Sequence, residues 1–339
     1  MTRLKRHLKT KVIIVGGGIS AVALAYHLSR SYQGLDIKLI TQDALGEGGA
    51  SALPLALLNP YRGQSARASA LDLAGLRTMR ALVSELGAAE TGLAFKGVWR
   101  IPSSIRQAKK WQKQVGEGGR RIRAHPPTTP HGAFLVSKGG HVNVKTFFQT
   151  LKNWLCVQQD NNFELIEYCQ VTALDGQGLI AQGKLWQAEK LIFCTGAASP
   201  KLLAPYLKEY NLSCYAGEII SFESDIELDK PLAGAVYGGS LAKHLHVGGN
   251  HRELTAGENL GPTPEDLKQL QNSVSWFIPP LKDLTPLRTW TGLRLKTPDH
   301  QPLSLRLTDK HYFFGAMAGR GFLCAFHLAE SLAQQLFSD

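Results

Sequence analysis

The chain has 339 residues, of which 44% are hydrophobic, and this length favours two domains, each with its own core. Its formal net charge is +11, which favours anionic partners such as nucleic acid or a carboxylate substrate. The 5 cysteines are scattered, odd in number and without a CxxC pair or a histidine at ligand spacing, so neither a disulfide framework nor a zinc site is indicated, and we expect reduced thiols in a cytoplasmic protein. No run reaches the roughly 18 apolar residues of a membrane helix, so no membrane partner is expected.

The N-terminal part of the chain predicts a strand, a glycine turn, a helix and a second strand. Residues 11–15 (KVIIV) are a short β-branched run, and residues 20–30 carry apolar side chains at helical spacing. Residues 35–41 (LDIKLIT) form the second apolar run. The whole unit has about thirty residues, which is the size of a parallel βαβ crossover.

Three glycines lie in the turn between the first strand and the helix. Gly16, Gly18 and Ala21 fit the pattern G-x-G-x-x-G/A. The first glycine permits the turn, the second lets the backbone approach a pyrophosphate, and the small third residue allows close helix packing. Ile19 and Ser20 begin the helix, whose N–H groups and dipole attract phosphate. The pattern therefore predicts a bound dinucleotide, either NAD or FAD.

The ribose of the dinucleotide is usually held by an acidic residue at the end of the second strand. Here Thr41 ends that strand, Asp36 begins it and Asp43 follows it. We predict that Asp43 binds the ribose, with help from Thr41. The alternative is that Asp43 only caps a loop.

Further along the chain, helical patterns alternate with short apolar runs that end in turn residues. The predicted elements are a helix within 65–92, short antiparallel strands within 92–140 with a loop at 125–130, a helix over 142–155, a buried strand in 189–199, further strands within 213–254, and a strand, a glycine turn and a helix over 311–336.

These elements predict an α/β protein in which both domains are discontinuous. A Rossmann-like dinucleotide-binding domain comprises residues 1–80, 140–213 and 295–339. An α+β substrate domain, built on an antiparallel sheet, comprises residues 81–139 and 214–294. The substrate site is expected between the two domains.

Four segments carry a resemblance to a known family. They are GEGGASALPLALLNP at 46–60, LIFCTGAAS at 191–199, GLRLKTPDHQPL at 292–303 and AGRGFLCAFHLAESLA at 318–333. In this order and spacing they resemble the D-amino-acid oxidase-like superfamily of flavoproteins over nearly the whole chain. The resemblance implies a glutathione-reductase-type fold and FAD bound in an extended conformation, noncovalently because no cysteine stands beside the third segment.

The resemblance also implies which residues surround the cofactor. Ala50 and Ser51 would lie near the pyrophosphate and the flavin. Thr195, Gly196 and Ala197 would lie beside the cofactor.

The turn before the last helix would contact the pyrimidine end of the flavin. Its residues are Gly319, Arg320, Gly321 and Phe322. The start of the helix would stabilise negative charge that develops on the flavin, and Arg320 is therefore a predicted catalytic residue.

Arg294 is the predicted ligand of the substrate. A guanidinium grips a carboxylate with two hydrogen bonds, and the resemblance implies an arginine at this place in amino-acid and glycine oxidases. Tyr237 could donate to the same carboxylate. The alternatives are an ion pair between Arg294 and Asp299 and, for Tyr237, an ordinary aromatic of a sheet. His244 and His246 have no carboxylate or cysteine at ligand spacing, so no metal is expected.

Within the superfamily, GASALPLALLNP, YAGEIISF, GLRLKTPDHQPL and the GRGF turn resemble the oxidase domain of the bifunctional enzymes that complete the methylaminomethyl-thiouridine base of tRNA. A tRNA partner would need a basic surface with an aromatic side chain for stacking. Trp99 and Trp111 stand near the densest basic cluster, which is Lys109, Lys110, Lys113, Arg120, Arg121 and Arg123. The alternative is a solvated helix face.

Together these features predict an FAD-dependent oxidoreductase that oxidises the C–N bond of a carboxylate-bearing amine by transfer of a hydride to flavin N5. Its substrate is either the carboxymethylaminomethyl group of a modified wobble uridine in tRNA or a free amine, as in a glycine or D-amino-acid oxidase. A flavin-binding interaction module without turnover and an NAD enzyme are the alternatives from other classes. The sequence indicates no particular oligomeric state.

Overall fold

The computed structural model describes residues 6–87, 91–114, 119–122, 131–176, 178–249, 252–253, 261–275 and 278–338. Its α-helices are, in chain order, α1 (Ile19–Ser31), α2 (Ala70–Leu86), α3 (Ile105–Gln114), α4 (Val144–Cys156), α5 (Ser199–Leu202), α6 (Ala204–Leu207), α7 (Pro264–Ser275) and α8 (Gly321–Gln335). Its strands are β1 (Arg6–His7), β2 (Lys11–Val15), β3 (Tyr32–Gln33), β4 (Asp36–Ile40), β5 (Leu55–Leu58), β6 (Leu93–Ala94), β7 (Val98–Arg100), β8 (Gly119–Ile122), β9 (Ala133–Val136), β10 (Gly140–Asn143), β11 (Asn162–Ile166), β12 (Val171–Asp175), β13 (Gly178–Ala181), β14 (Lys184–Trp186), β15 (Lys190–Phe193), β16 (Ser213–Glu223), β17 (Leu232–Ala233), β18 (Tyr237–Leu241), β19 (His244–Gly248), β20 (Arg252–Glu253), β21 (Arg288–Lys296), β22 (Leu303–Arg306) and β23 (His311–Gly315).

The main sheet holds six of the described strands, in the order β11-β4-β2-β15-β23-β22. Every neighbouring pair is parallel except β22 with β23. Val12 and Ile14 of β2 belong to the core on one side of this sheet, and Ile13 and Val15 belong to the core on the other side. Because both faces are covered, β2 is one continuous apolar run instead of an alternating pattern.

Helices and a small sheet form the layers on either side of the main sheet. On one side α1, α4 and α8 pack through aromatic side chains that include Tyr26, Phe147 and Phe326, and α2 packs on α8. On the other side lies the antiparallel sheet of β12, β13 and β14, which contributes Leu179 and Ala181 to the second core. The main sheet is therefore the middle of three layers.

The second sheet contains nine of the described strands. Eight follow in the order β20-β16-β19-β18-β17-β7-β9-β8, and β21 pairs with β16. Its pairs are antiparallel except β17 with β7. Helix α7 covers one face, where Leu270 and Val274 pack with Ile220, Phe222 and Val247.

The paired strands β16 and β21 connect the second sheet to the turn that precedes α8. They are in register over the whole of β21. At the end of β21, Lys296 forms an isolated bridge with Met317, and the N–H of Ala318 donates to the carbonyl of Leu295 at 3.0 Å. The last residues of β21 and the turn before α8 are therefore held side by side.

The predicted α/β class with a second, mainly antiparallel sheet is confirmed. Helices predicted near the N-terminus, over 142–155 and at the C-terminus are present as α1, α4 and α8, and the first two predicted strands are β2 and β4. The helix predicted within 65–92 is shorter, because a capping box between Ser69 and Asp72 starts α2. The loop predicted at 125–130 lies outside the described residues.

Helices α3 and α7 have no counterpart in the prediction. The α3 sequence IRQAKKWQKQ is short and mostly polar, and its three apolar residues, although at helical spacing, are too few to mark a helix in a pattern of apolar residues. Within the described ranges, no helix combines the length and the apolar character that crossing a bilayer requires.

The close approach of α2 to α8 gives a test of the packing. A Cβ at Gly75 of α2 would lie 2.1 Å from the carbonyl oxygen of Leu323 in α8. We expect Gly75→Ala to lower the free energy of unfolding by about 1–3 kcal/mol in urea denaturation, because the two helices would have to move apart. The matched control is Gly261→Ala, where a Cβ would meet nothing within 4 Å. Equal losses in both variants would contradict the described packing.

Candidate functional site

A cavity of about 1990 Å³ lies where the carboxyl ends of the parallel strands face the second sheet. The ends of β2, β4 and β15 contribute Val15, Ile40 and Cys194 to its wall, and β16, β18 and β21 contribute residues from the other side. The carboxyl ends of parallel strands are the usual ligand site of such sheets. The fold therefore places a deep ligand site between its two sheets.

The glycine turn after β2 lines this cavity with bare backbone. Gly16 has φ of +122°, and a Cβ there would lie 2.4 Å from the carbonyl oxygen of Cys194. A Cβ at Gly17 would lie 2.2 Å from Oγ1 of Thr41. Gly18 is the N-cap of α1 and offers no side-chain cap. Because Gly18 and Ile19 line the cavity, the start of α1 faces it. This cradle leaves room for a phosphate at backbone N–H groups.

The loop before β5 closes over this turn. The Oγ of Ser51 accepts a hydrogen bond from the N–H of Ile19 at 3.0 Å, so the hydroxyl satisfies one of the first donors of α1. Ala50 lies against β21, since a Cβ built on Gly292 of that strand would lie 3.1 Å from the Cα of Ala50. Ser20, like Ile19, Ala50 and Ser51, lines the cavity.

The two residues predicted to bind ribose both line the cavity. Thr41 is buried against Gly17, whereas Asp43 is exposed. A Cβ at Gly48 would lie 2.4 Å from Oδ2 of Asp43, so this carboxylate borders the loop that leads to Ser51. The carboxylate of Asp43 is open to a ligand hydroxyl, and the ribose contact stays a prediction.

The segment after β15 forms the next part of the wall. Thr195, Gly196 and Ala197 line the cavity, and Gly196 has φ of +52°. The Oγ1 of Thr195 lies 2.8 Å from the Oγ of Ser199, which fixes the hydroxyl within the turn. The fold thus brings these three residues, which the sequence placed beside the cofactor, to the same cavity as the glycine turn.

The turn before α8 presents its glycines, not its arginine, to the cavity. Gly319, Gly321 and Phe322 line the wall, whereas Arg320 does not. The Nε of Arg320 lies 3.7 Å from Oδ1 of Asp72 at the start of α2, and its Nη1 donates to Oε1 of Gln301 at 3.4 Å. The side chain of Arg320 therefore joins the starts of α2 and α8. Ala21 does not line the cavity either, because this residue of α1 is fully buried in the core.

Arg294 lies in the wall that β21 forms, with its guanidinium on the backbone of β16. A Cβ at Gly217 would lie 1.8 Å from Nη2 of Arg294, so glycine leaves room for the guanidinium in this position and a larger residue would displace it. Burial lowers the pKa of Arg294, and Tyr237 and Glu218 oppose the shift. Burial raises the pKa of Tyr237, so its phenol keeps its proton at neutral pH and can donate a hydrogen bond. Asp299 accepts a hydrogen bond from the N–H of Gln301 at 3.0 Å.

A second arginine, which the sequence did not single out, reaches the same place. Arg62 follows β5, and its Nη2 lies 2.9 Å from the position of a Cβ at Gly319. The Nη1 of Arg294 lies 3.9 Å from that position. Burial lowers the pKa of Arg62; Asp72 opposes the shift, and Arg320 and Arg294 add to it.

A third arginine of the wall, also missed, ends β7. Arg100 is 5% exposed, and its Nη2 donates to the carbonyl of Gly63 at 2.7 Å. Its guanidinium carbon lies 4.4 Å from the ring centroid of Trp111. Burial lowers the pKa of Arg100 to about 10, with a further contribution from Arg62. An arginine that closes an apolar strand is the sequence signal that would have found it, because a buried cation needs an anion or an aromatic face.

Helix α3 brings basic side chains to the mouth of the cavity. Arg106 and Lys110 line it and are exposed, and Lys109 is exposed beside them. The predicted stacking role of the tryptophans is wrong, because Trp111 is 1% and Trp99 is 8% exposed. The side chains of Lys113, Arg120 and Arg121, and all of Arg123, lie outside the described residues.

The histidines on β19 do not gather metal ligands. His246 is buried, its Nδ1 lies 2.8 Å from Oγ of Ser221, and burial lowers its pKa to about 4, so it is neutral at pH 7. Across the described part of the chain, no three histidine, cysteine or acidic side chains are grouped to hold a metal ion.

Comparisons with known proteins agree with this geometry. The family described as FAD dependent oxidoreductase (DAO) matches residues 11–335. The chain is 26% identical over 331 residues to the tRNA 5-methylaminomethyl-2-thiouridine biosynthesis bifunctional protein MnmC of Maricaulis maris. This alignment covers 96% of the present chain and 52% of the relative. It is 27% identical over 197 residues to the protein of the same name from Idiomarina loihiensis, in an alignment that covers 52% of the present chain and 32% of the relative.

The chain thus spans about half the length, or less, of these curated relatives. Among solved structures, glycine oxidase from Bacillus cereus ATCC 14579 superposes with a TM-score of 0.80 at 20% identity, covering 97% of this chain and 95% of that one. This similarity shows a shared fold.

The seat of Arg294 on Gly217 predicts a specific loss. Gly217→Ala should displace the guanidinium and weaken the binding of propionate by about tenfold, the order of one charge-assisted hydrogen bond, in isothermal titration calorimetry. The matched control is Gly238→Ala in the same sheet, where a Cβ would lie 3.4 Å from Val247, an ordinary contact. Unchanged affinity in Gly217→Ala would show that this guanidinium does not bind carboxylates.

Proposed function

Because the chain belongs to the FAD dependent oxidoreductase (DAO) family, we propose that it acts on amines or amino acids and oxidises the C–N bond of an amine that carries a carboxylate. The observation that carries the proposal is the guanidinium of Arg294, seated on Gly217 in the wall of a deep cavity. A planar guanidinium in such a place binds a carboxylate with two hydrogen bonds.

We propose that the glycine cradle and its neighbours hold FAD. Backbone at Gly16 and Gly18 and the start of α1 would bind the pyrophosphate, and Asp43 and Thr41 would bind the ribose. Bound FAD supplies a two-electron acceptor for the C–H bond next to the nitrogen. The fit rests on the cradle itself, because a Cβ at Gly16 would collide with the backbone.

The remaining groups of the site orient the substrate. Arg294 would grip the carboxylate while Tyr237, which keeps its proton, donates to the same group. The start of α8 and the backbone at Gly321 give a positive partial charge at the turn, where negative charge would be stabilised. Positioning and electrostatics therefore account for the chemistry, and no catalytic triad is required.

The substrate that we propose is the carboxymethylaminomethyl group of a modified wobble uridine in tRNA. Support comes from the similarity to the MnmC proteins, from the net charge of +11 and from Arg106 and Lys110 at the mouth of the cavity. A tRNA substrate would require a cytoplasmic enzyme. The second candidate is a free glycine-like amine, which the shared fold with glycine oxidase favours.

We further propose that the domain built on the main sheet binds the cofactor and that the domain built on the second sheet binds the substrate. Residues 1–80, 140–213 and 295–339 would hold the cofactor, and residues 81–139 and 214–294 would hold the substrate. The main sheet takes all its strands from the first set, and the second sheet takes almost all of its residues from the second.

The first experiment records the visible spectrum of the FAD-loaded protein without oxygen during addition of sarcosine, glycine, a D-amino-acid panel and, separately, undermodified tRNA. We expect at least one carboxylate-bearing amine to bleach the flavin band, and we expect Arg294→Gln to raise the concentration required by about tenfold or more while FAD stays bound. Arg77→Gln, at an exposed position of α2, is the control. A holoprotein that no amine and no tRNA bleaches would overturn the proposal.

The tRNA candidate has its own test. Lys109→Glu combined with Lys110→Glu should weaken tRNA binding by about tenfold or more and flatten its dependence on salt, because phosphate contacts release counterions. The control combines Lys208→Glu with Lys310→Glu, two exposed positions that do not line the cavity. Equal loss in both double variants would mean that only net charge matters and would remove α3 as the docking surface.

A further inference from the structure

Arg62 and Arg100 are cations in the wall of the cavity that have no carboxylate partner in the described part of the chain. Asp72, which opposes the pKa shift of Arg62, is already engaged. Its Oδ2 accepts from Oγ of Ser69 at 2.7 Å, and its Oδ1 lies 3.7 Å from Nε of Arg320. Among the described residues, the Nε of Arg100 also has no hydrogen-bond partner.

Two such cations are costly to bury next to each other. Removing a charge from water is unfavourable unless an opposite charge or several hydrogen bonds replace the water. The charge of Arg62 lowers the pKa of Arg100, and the charge of Arg294 lowers the pKa of Arg62, so Arg62 and Arg100 repel each other and Arg294 repels Arg62. An anion bound between Arg62 and Arg100 would offset both the lost hydration of the two guanidinium groups and the repulsion between them.

The loop that carries Arg62 is fixed, so the pair is a built feature of the fold. The backbone N–H of Arg62 donates to the carbonyl of Arg67 at 3.4 Å. The carbonyl of Gln64 accepts from Nε1 of Trp111 at 2.8 Å and from Nε2 of Gln107 at 3.2 Å. Helix α3 therefore holds the loop in place from one side, and Arg100 holds it through Gly63.

The pair is also close to the predicted carboxylate ligand. Arg62 and Arg294 approach the same point beside Gly319 from different elements. A ligand whose carboxylate lies on Arg294 would thus have its next few atoms within reach of Arg62. Arg100 and the exposed Arg106 line the same cavity.

We propose that Arg62 and Arg100 form a second oxyanion subsite, so that the substrate carries two anionic groups, one on Arg294 and one on this pair. The inference deepens the proposed function and rests on it for the meaning of the first group. The second oxyanion is either a carboxylate or a phosphate, because a guanidinium fork binds both in the same way.

The test compares unreactive ligands of matched length on the FAD-loaded protein by isothermal titration calorimetry. We expect succinate to bind about tenfold or more tighter than butyrate, the order of one additional charge-assisted hydrogen bond. Arg62→Gln and Arg100→Gln should each reduce this ratio towards one while the affinity for butyrate stays within about twofold. A tighter 3-phosphonopropionate would identify phosphate as the second group, and a tighter succinate would identify a carboxylate.

Arg77→Gln is the control and should leave the ratio of the two affinities as it is. Equal affinity of the wild-type protein for succinate, butyrate and 3-phosphonopropionate would overturn the proposal. Loss of butyrate affinity or of bound FAD in Arg62→Gln would also overturn it, because Arg62 would then serve the first carboxylate or the flavin. Since these ligands do not react, the result is independent of whether any amine bleaches the flavin.

Discussion

The pairing of β16 with β21 is the contact on which the site depends. It extends over the whole of β21, and at its end β21 is bonded to the turn that starts α8. The same pair places Arg294 on Gly217. One ladder of backbone hydrogen bonds therefore fixes the wall that β16 and β21 form, the position of Arg294 and the distance of both from the glycine turn after β2.

The electrostatics of the cavity are unusual because its cations come from separate elements. Arg294 is on β21, Arg62 is in a loop after β5 and Arg100 is on β7. No two of them are neighbours along the chain, so their convergence is a property of the fold alone. An anionic ligand of the proposed kind would therefore meet guanidinium groups that are already in place, which lowers the cost of reorganisation on binding.

The sequence predicted the parts of the fold whose signals are local. The glycine pattern, the apolar run of β2 and the periodicity of α4 and α8 are each visible within about fifteen residues, as expected for helices and strands. Arg62 could not be predicted, since a single arginine in a loop has no pattern of its own, whereas Arg100 had a weak signal as the cation that ends a short apolar strand. Arg320 shows the opposite failure: the turn lies at the cavity, but the side chain turns away to Asp72, a partner 248 positions distant in sequence numbering.

The seat of Arg294 has an evolutionary consequence. A side chain larger than hydrogen at position 217 would displace the guanidinium of Arg294 from its present position. The two positions belong to different strands, yet a substitution at 217 changes where the side chain at 294 can lie. A lineage that replaces Arg294 would be free to lose Gly217, because position 217 would then no longer have a guanidinium to accommodate.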